Sequence, residues 1–186
     1  MFKTPFRILI AISTLGFVSC STHVDLPKGT SKGYTSARLV QRDPNRPAPT
    51  NANEVKVNRM IQQSLAGKFA TNGLAFGKSD ADLAVAYLVI FQEPGVTTRY
   101  DDYFGYGRSA DEIGDVAHTR GILKSKRPDY FERAGIVIDV IDSRTNKLVY
   151  RNYAVGDVVR GATDSVRTSR IDAAVAEAIG PFFGKK

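Results

Sequence analysis

Asp111, Asp115 and His118 stand at i, i+4 and i+7, so a short helix would set all three on one face. Two carboxylates and an imidazole can hold a divalent metal, and a metal-bound water would make such a set the centre of a hydrolase. The plainer reading of the same spacing is a solvated helix face. Asp101-Asp102 add acid nearby but do not follow the pattern of a Ca²⁺ loop. Gly105-Tyr-Gly107-Arg108 lacks the last glycine of a phosphate loop and has no strand-to-helix frame around it. No Gly-x-Ser-x-Gly elbow occurs, and a serine–histidine pair would have to use His118, because His23 lies in a polar stretch near the start. Cys20 is the only cysteine, which excludes an intramolecular disulfide and a Cys-based zinc site. The material for catalysis is thin, and no cofactor is expected.

A second kind of chemistry is recognition. Tyr100, Tyr103, Phe104 and Tyr106 crowd one stretch with Gly105 and Gly107 between them, and Tyr130 and Phe131 follow. Arg99 and Arg108 lie close to Asp101, Asp102 and Asp111, so aromatic area sits beside both signs of charge. Exposed aromatics of this sort stack on sugar rings or fill a partner's pocket. The competing role is to cover a sheet face that helices leave bare. Tyr100, Tyr103, Phe104, Tyr106 and Arg108 are the candidate binding loop. Lys124, Lys126 and Arg127 form a small basic run, read as a solvated loop.

The elements that must position these residues come from periodicity. Asn51-Ala-Asn-Glu54 has the outline of a capping box, and Val57, Ile61, Leu65 and Phe69 recur at i+4 behind it. This predicts a helix over 52–71, stopped by Asn72-Gly73. Residues 82–92 alternate Leu83, Val85, Tyr87, Val89 and Phe91 with Ala84, Ala86, Leu88 and Ile90, a central strand apolar on both faces. Residues 135–142 and 147–157 form a hairpin, with Asn146 placed to take a left-handed conformation in the turn. A last helix begins near Asp164 or Ser165, buries Ile171, Ala174, Val175, Ala178 and Ile179, and stops at Gly180-Pro181. A first strand is expected at 37–41, and the run from 96 to 133 is left as one long aromatic loop. The order predicts an α+β two-layer sandwich, with a mainly antiparallel sheet and both helices on one face.

The chain's 186 residues, 42% hydrophobic and 24% charged, suit one globular domain plus a targeting segment. Lys3 and Arg7 precede the uncharged run from Ile8 to Val18, and Ser19 and Cys20 close it. That is a secretory signal, too short to remain as a membrane helix. Loss of residues 1–19 lowers the formal charge from +7 to +5, a modest excess that suits anionic envelope polymers or head groups and not nucleic acid. Residues 20–37 read as an anchor and a flexible tether of Ser, Thr, Gly and Lys, with a reach of at most about 60 Å. The domain proper is expected over 38–184.

Phe17-Val18-Ser19-Cys20 resembles the bacterial lipoprotein signal, with Phe17 where that signal usually has Leu. The resemblance implies diacylation of Cys20, as with palmitate, and Ser21 after it implies passage to the outer membrane. Ser79-Asp-Ala-Asp82-Leu-Ala-Val-Ala-Tyr87 is similar to the "nPDl.v.y" element of the bacterial lipoproteins of domain-of-unknown-function family 4136. The run from Gly135 through Asp142, Thr145 and Lys147 to Tyr150 is similar to that family's second signature, with Asn146 for its usual Gly and Tyr150 for its usual Trp. This resemblance spans roughly 35–183 and implies an anchored α/β envelope domain with no agreed activity. The functional expectation is therefore a periplasm-facing, lipid-anchored, non-enzymatic binding or scaffold module, with an envelope protein or glycan as partner and an oligomeric state the sequence leaves open. The alternative is a metal-dependent envelope hydrolase using Asp111, Asp115 and His118.

Overall fold

Asn51 accepts hydrogen bonds on its side-chain oxygen from the N–H groups of Asn53 (2.9 Å) and Glu54 (3.3 Å), and helix α1 (Ala52–Thr71) starts there. The helix ends as the sequence predicts, with Gly73 at φ 82°. Its predicted stripe faces the core, and Ile61, Leu65 and Phe69 are buried. Helix α2 (Asp164–Ile179) is capped by Thr163, and the chain then tightens into a 3₁₀ turn, Gly180–Phe183, that carries Phe182 to full burial. The computed structural model of the protein describes residues 26–40, 51–92, 122–123 and 133–184.

The sheet runs in the order β2-β1-β3-β5-β6, with β4 also paired to β3. Its strands are β1 (Ser36–Leu39), β2 (Ala75–Phe76), β3 (Leu83–Gln92), β4 (Ile122–Leu123), β5 (Arg133–Asp142) and β6 (Lys147–Asp157). The long pairings, β3 with β5 and β5 with β6, are antiparallel; the short ones made by β1, β2 and β4 are parallel. The fold is α+β with a mostly antiparallel sheet, as expected, and β1 stands where a first strand was expected; β2, β4 and the parallel pairing are what periodicity did not show. A strand of two residues leaves too few alternations to read. In the hairpin turn Asn146 takes φ 52°, the left-handed conformation read from its position.

Both helices cover one face. Leu83, Val85 and Val89 of β3, Ile136, Ile138 and Val140 of β5, and Tyr150 and Ala154 of β6 pack there with the helical stripes. Burying side chains of this size contributes roughly 1.5–3 kcal/mol each. The opposite face is also dry: Ala86, Leu88, Ile90, Val137 and Ile141 are buried, and among them lies an ion pair. Arg151 Nε and an Nη reach the two carboxylate oxygens of Asp139 at 2.6 and 2.8 Å, from directly opposed positions on β6 and β5. Burial pushes the Asp139 carboxyl up, and the hydrogen bonds and charge of Arg151 pull against that shift.

The tether expected over 20–37 is docked from Pro27 onward, and the first strand begins one residue earlier than expected. Gly29 N–H donates to the Val149 carbonyl (2.8 Å), Arg151 N–H to the Pro27 carbonyl (2.9 Å) and Ser31 N–H to the Phe182 carbonyl (2.8 Å). Lys28 thereby bridges Tyr150 in antiparallel fashion on the outer edge of β6. The physical reason is that this docking uses main-chain groups on an otherwise open strand edge, which a side-chain period cannot reveal. A Cβ on Gly29 would lie 2.4 Å from the Val149 oxygen, so no other residue fits without movement.

Two outcomes follow from these contacts. Gly29→Ala should lift residues 27–29 from β6 and cost about 1–3 kcal/mol, read as faster amide exchange at Gly29 and Arg151; unchanged exchange would contradict it. Arg151→Met should cost about 3–5 kcal/mol by leaving a buried carboxylate unpaired. Adding Asp139→Leu to that variant should return most of the loss in a thermal melt.

Candidate apolar binding pocket

Helices α1 and α2 run side by side in the same direction. Lys56 pairs with Asp164 near their starts, and Ser64 and Lys68 both reach Asp172 farther along (2.7 and 2.8 Å). The side chains beneath them change size along this direction. At the C-terminal ends Phe69, Phe182, Phe183 and Tyr150 pack ring against ring, with centroids 5.1–6.2 Å apart. Toward the N-terminal ends the corresponding positions carry Val57 on α1 and Ala154 and Gly156 on β6, with Ala174 at the middle of α2. Large residues fill one end of the wedge, and small ones leave the other open.

The space left there is a cavity of about 200 Å³. Val57, Ile61, Val89, Phe91, Ile136 and Ile171 form its apolar walls, and Ala134, Ala154, Gly156 and Ala174 its shallow floor. Val158, Val159 and Ala162 lie across one side, in the segment linking β6 to α2. The polar residues on its lining are Asp157, Arg167 and Arg170. Arg167, Arg170, Ile171 and Ala174 fall at i, i+3, i+4 and i+7, so one helical face presents both guanidinium groups and the apolar wall. Arg170 donates to the Asp157 carbonyl at 2.5 Å, and Arg167 makes only long contacts, 3.4 Å, to Asp164 and the Ala162 carbonyl. Each guanidinium carries five donors, so most of them stay open.

A second polar cluster lies at the start of β1. One oxygen of Asp82 accepts from the N–H and hydroxyl groups of both Thr35 and Ser36, at 2.8–3.1 Å. The Thr35 and Ser36 bonds hold its carboxyl down at about 2. Asp142 accepts from the Tyr34 hydroxyl (3.0 Å) and from the N–H groups of Arg144 and Thr145 (3.0 and 2.9 Å), and these bonds, that of Thr145 foremost, hold its carboxyl below the ordinary range. Both carboxylates serve structure: Asp82 ties the 35–36 segment to β3, and Asp142 closes the hairpin turn.

Cys20, the loop residues Tyr100, Tyr103, Phe104, Tyr106 and Arg108, and the acid–imidazole set Asp111, Asp115 and His118 all lie outside the described residues. Among the described residues no group of three His, Cys, Asp or Glu side chains could hold a metal ion. No described helix is long and apolar enough to cross a membrane. The residues that do converge, Arg167, Arg170, Asp157 and the small floor, were not singled out as functional from the sequence. Two signals were present: the α1 stripe rises in size from Val57 to Phe69, and β6 falls from Tyr150 to Ala154 and Gly156 on the same face.

An α+β domain whose helices share one sheet face, closed by aromatics at one end and open at the other, is the class of protein this geometry defines. The chain belongs to the family described as Domain of unknown function (DUF4136), whose model matches residues 32–182. The two signature runs that suggested the family contain Asp82, Asp142 and Asn146, the residues that hold β1 and the turn in place. No curated protein matches the chain. Among solved structures it is similar to the PelC dodecamer from Paraburkholderia phytofirmans, at 11% identity and TM-score 0.44, covering 87% of this chain and 94% of that one. It is also similar to a PDZ domain protein from Parabacteroides distasonis, at 10% identity and TM-score 0.39, covering 77% of this chain and 32% of that one.

The Asp82 cluster makes a pH prediction. A carboxyl whose folded pKa lies at about 2, against an ordinary 3.8, adds stability that is full above about pH 4. That contribution is lost as the pH falls through 2. Asp82→Asn should therefore flatten the fall in melting temperature between pH 4 and pH 2; an unaltered slope would show that Thr35 and Ser36 do not hold the carboxylate in solution.

Proposed function

We propose that this protein is a lipid-anchored, periplasm-facing module of the outer membrane that binds an apolar ligand and does no chemistry on it. The observation that carries the reading is the cavity of about 200 Å³ between the N-terminal ends of the helices and the sheet. Among the described residues its lining is aliphatic, aromatic, alanine or glycine apart from Asp157, Arg167 and Arg170, and none of these residues brings a hydroxyl, thiol or imidazole. An apolar recess with a few polar groups at its rim is the usual form of a small-molecule site. A cavity of about 150 Å³ lined by apolar side chains already takes up a benzene-sized guest.

The anchor half of the reading rests on Cys20 at the end of the uncharged run. Two acyl chains on that cysteine would hold the domain stably at a membrane. Pro27 is docked on β6, so only the residues from Cys20 to Leu26 separate lipid from fold. Seven residues reach at most about 25 Å. The pocket would then work within about that distance, plus the breadth of the domain, of the lipid surface.

Two measurements test the two halves. Labelled palmitate should enter the wild-type chain in cells and not the Cys20→Ser variant; label in that variant would remove the anchor. A fluorescent naphthylamine should bind the wild-type protein and lose at least about tenfold in affinity in Ala174→Phe, whose ring would fill the floor. Thermal melting checks that the variant is folded, and Ala174→Leu serves if it is not. Undiminished probe binding in a folded variant would refute the pocket as the site.

A further inference from the structure

The charge around the pocket is not balanced. Arg167 and Arg170 line it. Lys56 stands at the same end of the helices, paired with Asp164, whereas Arg133, next to Ala134 on β5, points to the other face of the sheet. Against these cations stands Asp164, while Asp157 offers Arg170 its main-chain carbonyl and turns its carboxylate toward Arg133. Asp157 lies 4.0 Å from Arg133, and Asp164 is shared between Lys56 and Arg167. Both carboxylates are thus already engaged, and positive charge is left over where the cavity meets solvent. The Asn51 side chain already accepts from the N–H groups of Asn53 and Glu54, and the Thr163 hydroxyl from that of Val166, and this excess is that of the side chains alone.

Resting on the binding reading above, we infer that the ligand is a single acyl chain with an anionic head, the chain lying in the cavity and the head against Arg167 and Arg170. The apolar floor and walls admit no head group, because a charge placed there would lose its water without a partner. The guanidinium groups cannot follow the chain inward, for the same reason. One helical face presents Arg167 and Arg170 a turn before Ile171 and Ala174, so a bound amphiphile meets charge and hydrocarbon in the order its own structure requires. Guanidinium forks match carboxylate and phosphate heads equally well, so the shared feature is an oxyanion on one alkyl chain.

The test is competition against the naphthylamine probe by four ten-carbon amphiphiles below their micelle concentrations: decanoate, decyl phosphate, decan-1-ol and decyltrimethylammonium. Decanoate or decyl phosphate should bind at least about fivefold more tightly than the alcohol and tenfold more tightly than the ammonium. Comparing the first two distinguishes a fatty-acid source from a phospholipid one. The paired substitution Arg167→Gln and Arg170→Gln should bring the anions within about twofold of the alcohol while leaving the alcohol unchanged. Arg167→Lys and Arg170→Lys together should keep part of the preference and show that the first pair did not act by unfolding. If the probe binds the cavity but alcohol and ammonium compete as well as the anions, this inference fails and the apolar pocket stands. If neither probe nor amphiphile binds, both fail.

Discussion

Strand β3 is buried on both sides, and that condition governs how every other element is placed. Leu83, Val85 and Val89 require a layer on one face; Ala84, Ala86, Leu88 and Ile90 require water to be excluded from the other. A ten-residue strand in that position cannot stand at an edge. It is paired along its whole length with β5 on one side and by β1 and β4 in turn on the other. Its backbone groups are satisfied by neighbours because water cannot reach them. Helices α1 and α2 then have one destination, the face carrying the larger side chains. The Asp139–Arg151 pair sits on the opposite face and is tolerated there because the two groups are direct cross-strand neighbours with a forked geometry.

The parallel course of the two helices leaves this scaffold closed at one end and open at the other. Helices that run together place their corresponding ends side by side, so the size gradient along α1 lies over that along β6 and the two add up instead of cancelling. From Val57 to Phe69 on α1, and from Gly156 to Tyr150 on β6, size rises toward the same end. The aromatic end, with Phe69, Phe182 and Tyr150 buried, holds the layers together. The Tyr150 hydroxyl adds a bond to the Ala178 carbonyl at 2.6 Å, fixing α2 to β6 at that end. The other end has no such cluster of rings; Val57 and Ile171 pack there half-buried, Tyr87 of β3 bonds Asn58 of α1, and surface pairs such as Lys56–Asp164 contribute little in water. Rigidity at one end and room at the other are two results of one distribution of side chains.

Much of the scaffold was legible in the sequence because it is written in long periods. Four apolar residues at i+4 between a cap and Asn72-Gly73 define α1 to the residue, and alternation over 83–91 defines β3 and both of its faces. Asn146 betrayed the turn because few other residues sit comfortably at positive φ. What escaped was short or made by the main chain: β2, β4 and the docking of Pro27–Gly29 on β6 and of Ser31 on the 3₁₀ turn. Gly29 looked like part of a tether, although its missing Cβ is what lets the backbone approach Val149. The pocket escaped for a different reason. Catalytic and metal patterns are sought as clusters of reactive types, and this pocket is composed of what is small, on elements far apart in sequence. Ala154, Gly156 and Ala174 mean nothing singly.

Leaving such space unfilled has a cost that bears on what it is for. Interiors pack at close to crystalline density, and unfilled volume forfeits dispersion contacts, on the order of a few kcal/mol for a cavity of this size even after allowance for its open side. Larger residues at Ala134, Ala154 or Ala174 would recover part of that, and each lies on a regular element whose backbone conformation Leu or Ile can adopt. The same chain fills its other end with five aromatic rings, Phe69, Phe76, Tyr150, Phe182 and Phe183, so space-filling residues are used where closure is needed. A domain that merely had to be stable would treat both ends alike. The asymmetry, with guanidinium groups set at the rim of the unfilled end, is the feature on which the proposed partly apolar, partly charged guest rests.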